Sequence, residues 1–166
     1  SSVRSIEDGT FIMCNSLSSI KISLSIISIG NRAFFKCHSL ESINIPPSVK
    51  SIGIGAFEEC TSLKSVEFLS SLTKIIIPSS VKIIGGSVFE GCSLLSSIEI
   101  PSSVESIGFS AFEGCSSVLS IKIPKSVKFI ADNTFAKCSS LKSIEIPSTI
   151  YICNLGINAN VEVIKI

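Results

Sequence analysis

The cysteines of this 166-residue chain recur at a fixed interval, and that interval constrains the fold more than any other feature. Two series of three are each spaced by 23 residues: Cys14, Cys37 and Cys60, then Cys92, Cys115 and Cys138. The two series are separated by 32 residues. Aligned on the cysteine, the unit reads C-x-x-L-x-x-I-x-I-P-x-x-V-x-x-I-G-x-x-A-F-x-x-C. A period of this length predicts a solenoid in which each repeat forms one coil.

Each repeat contains two short extended segments and a corner. The alternation in I-x-I is typical of a half-buried strand, and the proline after it ends that strand. A second extended segment is predicted at V-x-x-I, followed by a short helical or 3₁₀ corner at A-F-x-x-C. A 23-residue unit cannot bury its own apolar side chains, so successive coils must stack. We therefore expect strands within 17–22, 40–45, 95–100, 118–123 and 141–146, and a buried phenylalanine column beside the cysteines: Phe34, Phe57, Phe89, Phe112 and Phe135.

The repeat resembles the short leucine-rich repeats of the BspA-like (bacterial surface protein A-like) family. The shared pattern is L-x-x-I-x-I-P-x-S-V-x-x-I-G-x-x-A-F-x-x-C, and it covers nearly the whole chain. The resemblance implies a right-handed, β-rich leucine-rich-repeat solenoid, an α/β-type horseshoe with short helical or 3₁₀ corners. It also implies a binding role without naming the partner, and some members of the family look surface-exposed.

We interpret residues 1–166 as a single solenoid of about seven coils. Residues 1–14 match only the second half of a unit, so we expect a truncated N-terminal coil, and 151–166 blur the pattern like a C-terminal cap. An exposed end of a stack makes end-to-end self-association plausible. Nine extra residues near 61–77 duplicate the strand pattern, once over 63–68 and again over 72–78. The sequence does not decide which copy joins the stack.

Composition argues against several classes of partner. The apolar share is 45%, which requires a buried core and excludes a disordered segment. The apolar runs are short, of the size of 75–77, and a membrane span needs about 18 to 20 residues. Fourteen Lys and Arg against thirteen Asp and Glu give a net charge of +1 with no basic block. We therefore expect neither nucleic-acid binding nor membrane insertion.

Residues that could carry catalysis are scarce. The one histidine, His38, lies at a variable position of the repeat, and neither Asp8 nor Asp132 accompanies a nucleophile and a base. We predict a non-enzymatic protein that needs no cofactor and holds no metal.

The seven cysteines contain no C-x-x-C pair, and six of them share one repeat position beside a core phenylalanine. There a cysteine acts as a small apolar side chain, and we expect a ladder of reduced thiols. Reduced thiols favour a cytoplasmic or nuclear location over an oxidising one, with the cell surface as the alternative.

The outward positions of the first predicted strand define a candidate concave binding face. They form one polar column of alternating charge: Lys21, Asn44, Glu67 or Ile76, Glu99, Lys122 and Glu145. Opposite charges in neighbouring strands could pair with each other along the sheet, or they could bind a protein partner. The sequence leaves both uses open.

Two segments read K-x-V-x-F, and they resemble the docking motif by which regulators hold the catalytic subunit of protein phosphatase-1. The candidate docking residues are Lys64, Val66 and Phe68 in one segment and Lys125, Val127 and Phe129 in the other. Such a motif binds by strand addition, with Val and Phe filling two pockets. We expect a protein-interaction scaffold, with phosphatase-1 regulation as the sharpest hypothesis and a cell-surface adhesin as the alternative.

Overall fold

The structure is a computed structural model that describes residues 3–63, 74–150 and 154–166. The described chain forms thirteen short strands in two sets, one set on each of two sides of the coils. We call the first set the first sheet: β2 (Ser19–Lys21), β4 (Ser42–Asn44), β6 (Lys74–Ile76), β8 (Ser97–Glu99), β10 (Ser120–Lys122), β12 (Ser143–Ile146) and β13 (Glu162–Lys165). The second sheet consists of β1 (Ser5–Ile6), β3 (Ser28–Ile29), β5 (Ser51–Ile52), β7 (Ile83–Ile84), β9 (Ser106–Ile107) and β11 (Phe129–Ile130).

All strand pairs are parallel, as a solenoid requires. The second sheet runs without interruption in the order β1-β3-β5-β7-β9-β11. The first sheet consists of three hydrogen-bonded segments, β2-β4, β6-β8 and β10-β12-β13, and β8 lies against β10. Equivalent residues pair at the 23-residue interval, as in Ser5 with Ser28 and Ile121 with Ile144. The predicted solenoid with one strand of each kind per coil is confirmed.

The nine extra residues do not interrupt the second sheet, whereas the first sheet has no described strand pairing between β4 and β6. In the second sheet Ile52 pairs with Ile84 across the longer interval. In the first sheet β6, which lies within the second strand copy 72–78, pairs with β8 through Ile75 and Ile98. Leu63 is buried like Leu40 of the preceding repeat, which places the extra length between Leu63 and β6. The first strand copy beyond Leu63 lies outside the described residues.

A column of stacked phenylalanines forms the centre of the core. The five predicted rings are all fully buried, and Phe11 extends the column at the N-terminal end. Neighbouring ring centroids are 5.0 to 5.7 Å apart with interplanar angles of 14° or less. This spacing is only slightly larger than the distance between adjacent strands, so the repeat places one ring on the next.

The cysteine column beside the rings ties each coil to the preceding one. The Cys115 thiol donates a hydrogen bond to the carbonyl oxygen of Phe89, with Sγ and O 3.3 Å apart. The same bond, at 3.0 to 3.3 Å, links Cys37 to Phe11, Cys60 to Phe34, Cys92 to Phe57 and Cys138 to Phe112. A weak donor of small volume suits this position, because it satisfies a buried carbonyl without displacing the rings.

The corners consist of turns, although the sequence pattern predicts a helical or 3₁₀ element there. In one coil the Phe35 amide donates to the Arg32 carbonyl at 3.1 Å, and the Cys37 amide donates to the Phe34 carbonyl at 3.2 Å. Arg32 and Lys36 have φ angles of 51° and 56°, in the left-handed region. A left-handed residue immediately before the cysteine interrupts helical geometry, and every described corner has one at that position: Met13, Lys36, Glu59, Gly91, Gly114 and Lys137.

The chain ends in a shortened coil. Strand β13 pairs with β12, and Ile144 lies opposite Val163, an interval of 19 residues. Leu155 and Val161 are buried and continue the core, whereas Val163 and Ile164 are partly exposed. The last coil therefore continues the first sheet through β13, and the side chains of that strand are exposed to solvent.

Candidate ligand-binding surface

The strand register of the first sheet places the predicted binding residues side by side. Lys21 pairs with Asn44, Lys122 with Glu145, and the backbone of Ile76 with Glu99. Lys21, Asn44, Glu99 and Lys122 are exposed and Glu145 is half-buried, so the column faces solvent. Glu67, the other candidate for the third coil, lies outside the described residues. That this column binds a ligand stays a prediction.

One charge pair on this face is formed within the chain. The Lys122 Nζ lies 2.8 Å from the Glu145 Oε2, and both side chains remain substantially exposed. An exposed pair of this kind stabilises the fold by a few tenths of a kcal/mol to about 1 kcal/mol. Because the interaction is weak, a charged ligand can compete for either partner.

Three shallow grooves lie where the strands of the first sheet end at proline. Their volumes are about 560, 310 and 460 Å³ along the stack. Pro46, Pro78, Pro101 and Pro124 contribute to their walls, next to the polar column at Lys21, Glu99 and Lys122. These grooves were not predicted from the sequence, although the proline that recurs after I-x-I marks their positions. The first sheet thus offers apolar recesses beside exposed charges.

The structure separates the three residues of the C-terminal K-x-V-x-F segment. Val127 is 1% exposed and its amide donates to the Pro124 carbonyl at 3.1 Å. Phe129 is 60% exposed on β11, and Lys125 is exposed. Val127 therefore belongs to the core and cannot reach a partner's pocket while the coil is folded. Lys64, Val66 and Phe68 lie outside the described residues.

Asp8 and His38, which were considered for catalysis, contact polar groups of the next coil. The Asp8 carboxylate accepts hydrogen bonds from the Asn31 amide at 2.7 Å and from Asn31 Nδ2 at 3.0 Å. His38 Nδ1 lies 3.4 Å from the Thr61 hydroxyl oxygen on the next coil.

Within residues 3–63, 74–150 and 154–166, no three His, Cys, Asp or Glu side chains are grouped to hold a metal ion. In the same ranges, no helix has the length and hydropathy to span a bilayer.

Burial makes the thiols of the cysteine column unreactive by raising their pKa values. Burial raises the pKa of the Cys60 thiol to about 12 and that of the Cys138 thiol to about 11. Burial likewise raises the pKa values of Cys92 and Cys115 well above their usual range. The thiolate is the reactive species, so these side chains are poor nucleophiles and poor metal ligands. The six cysteines of the described residues are free thiols.

We expect the buried thiols to resist alkylation in the folded protein. At pH 8, Cys92 and Cys115 should react with iodoacetamide at least ~100-fold more slowly than in denaturant, because reaction requires local unfolding. Peptide mapping by mass spectrometry measures this site by site, with the half-buried Cys14 as the internal control. Labelling of Cys115 at the rate of Cys14 would contradict the buried ladder.

The coils stack in parallel, and each repeat contributes a leucine, an isoleucine strand and a buried phenylalanine. These features define a leucine-rich-repeat solenoid, a class of binding scaffold. The sequence matches the family model described as "BspA type Leucine rich repeat region" in six copies, over residues 1–75 and 69–165. The chain therefore belongs to the BspA-type leucine-rich-repeat family. No curated protein sequence matches it.

Solved structures of bacterial leucine-rich-repeat proteins share the fold. The T. pallidum protein TpLRR is 28% identical, with a TM-score of 0.70 over 78% of this chain and 58% of its own. A leucine-rich cell surface protein of Faecalibacterium prausnitzii A2-165 is 32% identical, with a TM-score of 0.63 over 86% of this chain and 42% of its own. A leucine-rich-repeat protein of Bacteroides ovatus ATCC 8483 is 25% identical, with a TM-score of 0.51 over 98% and 55%. The chain thus spans between 42% and 58% of these relatives.

Proposed function

We propose that this chain binds a protein ligand along the first sheet. The observation that carries the proposal is the exposed column from Lys21 to Glu145, in register and beside proline-walled grooves. A face with few aromatic residues and with charges of both signs favours modest affinity and a contribution from electrostatic attraction. The ligand would lie across several coils, since a strand such as β2 or β10 contributes only two outward side chains, a serine and a lysine, and each coil adds one groove wall.

We further propose that this binding takes place at the cell surface. The F. prausnitzii relative is described as a leucine-rich cell surface protein, and this supports an extracellular location. The reduced cysteines, which favoured the cytoplasm or nucleus, do not oppose it. Their thiols are buried, hydrogen-bonded and of raised pKa, so an oxidising medium has little access to them.

Antibody labelling of the cells that make the protein tests the location. We expect an antibody against this chain to stain intact cells as strongly as permeabilised ones. Treatment of intact cells with protease should remove the signal. Staining that requires permeabilisation would contradict a surface role and return the protein to the cytoplasm or nucleus.

Docking to the catalytic subunit of protein phosphatase-1 is a second candidate, and one observation favours it for the N-terminal segment. The second strand copy supplies β6, the partner of β8, so the pairing of β8 does not use Lys64, Val66 or Phe68. The segment from Lys125 to Phe129 is the weaker candidate, because Val127 is buried.

A deletion separates docking from folding. Removing residues 64–72 brings Leu63 next to Thr73 and restores the 23-residue interval between Cys60 and Cys92. If the segment docks, this deletion should abolish phosphatase-1 binding and leave the circular dichroism spectrum unchanged. The matched double variant V127A/F129A should lose stability through Val127. Absence of binding by the wild-type chain at micromolar concentration would exclude the docking function.

A further inference from the structure

The outward face of the second sheet carries an apolar patch that is separate from the proposed ligand site. Ile83 begins β7 and Phe129 begins β11, and these side chains are 62% and 60% exposed. Both pair with Ser106 of β9, which lies between them, so they stand two coils apart in one column. Ile54 and Phe109 add two more apolar side chains at the far ends of strands β5 and β9, each about half exposed.

Glycine and alanine form the floor between these two columns. Gly53, Gly85, Gly108 and Ala131 follow the buried isoleucine of each strand, so the backbone there is covered by little or no side chain. The Phe109 ring lies against Gly86 of the preceding coil, where an added Cβ would stand 2.5 Å from the ring. Two aromatic rings and two isoleucines thus surround a strip of backbone with little side-chain cover. Exposed aromatic side chains are enriched at protein interfaces.

Positive charge lines one margin of the patch. The residues immediately before β5, β7 and β11 are Lys50, Lys82 and Lys128, all exposed. Before β9 the same column holds Glu105, whose carboxylate lies 3.9 Å from Lys82 Nζ and 3.2 Å from Lys128 Nζ. Three lysines against one glutamate leave this margin with a formal charge of +2. In the opposite column, the position of Ile54 and Phe109 is occupied by Asp132 in the last of the four coils.

The dimensions favour a short peptide segment over a globular partner. Four coils at about 4.8 Å spacing span about 14 Å between the outer strands, and five residues of strand span about 13 Å. The patch therefore covers about 200 Å², whereas a stable interface between two folded proteins buries about 800 Å² on each side. A second copy of this chain would require a surface several times larger.

We propose that the outward face of strands β5, β7, β9 and β11 binds a short acidic amphipathic segment of a partner protein. The apolar side chains of that segment contact Ile83, Phe109 and Phe129 over the glycine floor, and its carboxylates face Lys50, Lys82 and Lys128. The proposal is independent of the ligand assigned to the first sheet, because the two sheets lie on different sides of each coil. It gives Phe129 a role that does not require Val127 to leave the core.

Two peptide pools test the proposal by fluorescence polarisation with the full chain. Both contain fluorescein-labelled 12-residue peptides of matched apolar content, with glutamate at the charged positions of one pool and lysine at those of the other. The glutamate pool should bind at least ~10-fold more tightly than the lysine pool. The I83S/F129S variant should weaken that binding ~10-fold or more. Serine holds the same position in β3, β5 and β9, so this variant should fold.

Two further variants and one hydrodynamic measurement complete the test. L94S/L119S removes two other exposed apolar side chains outside the patch and should leave binding unchanged. K82E/K128E reverses two exposed charges and removes their ion pairs with Glu105, and it should abolish the preference for the glutamate pool. Equal binding of both pools, or binding that I83S/F129S does not weaken, would overturn the proposal. Sedimentation that shows a wild-type dimer lost in I83S/F129S would also overturn it, because a second copy would then cover the patch.

Discussion

Replacing Phe112 with alanine should destabilise the protein by about 3 to 5 kcal/mol. The ring is fully buried and stacks on Phe89 at 5.5 Å and on Phe135 at 5.7 Å. Its removal leaves a cavity between two coils that neighbouring rings cannot fill without shifting the stack. Denaturant unfolding followed by circular dichroism measures the change in the free energy of unfolding.

The matched control for this prediction is Phe129→Ala. Phe129 has the same side chain but is largely exposed, so its loss should change stability by less than about 0.5 kcal/mol. A cost below about 1 kcal/mol for Phe112→Ala, or equal costs for the two variants, would show that the phenylalanine column is not the centre of the core.

A single added methyl group at Gly108 should destabilise the protein by about 1 to 3 kcal/mol. A Cβ at this position would lie 2.5 Å from the Gly86 nitrogen and 2.6 Å from the Gly85 carbonyl carbon. Both are backbone atoms of the preceding coil and cannot rotate away. Glycine at position 108 therefore lets these two coils approach closely.

The equivalent position one coil earlier gives the control. At Gly85 the nearest atoms to an added Cβ are 3.4 Å away, so Gly85→Ala should cost distinctly less than Gly108→Ala in the same thermal or denaturant unfolding experiment. If the two alanine variants are equally stable, coil spacing does not explain the recurring glycine.

The sequence was sufficient to predict the coil and its core. A strict 23-residue interval fixes which side chains lie above one another, so the Phe34 to Phe135 column and the pairing of Ile121 with Ile144 follow from the alignment alone. The column from Lys21 to Glu145 was predictable for the same reason, because outward strand positions repeat with the coil.

Other features depend on interactions that a repeat pattern does not encode. The spacing of Ala, Phe and Cys suits a helical turn, yet left-handed residues such as Lys36 and Lys137 convert the corner into turns. The two strand copies, 63–68 and 72–78, carry the same pattern, and only pairing with β8 distinguishes the second. The apolar patch on the second sheet arises from departures from the repeat, where Ile83 and Phe129 replace serine.

Site-specific photo-cross-linking tests most directly the claim that the first sheet binds a ligand. A photo-reactive residue at Asn44 or Lys122 would be introduced into the protein on cells that produce it, with Ser51 on the second sheet and Ser139 at an exposed corner as controls. We expect one shared adduct from Asn44 and Lys122 that is absent from Ser51 and Ser139. The same adduct from Ser139, or none from either position of the first sheet, would contradict it.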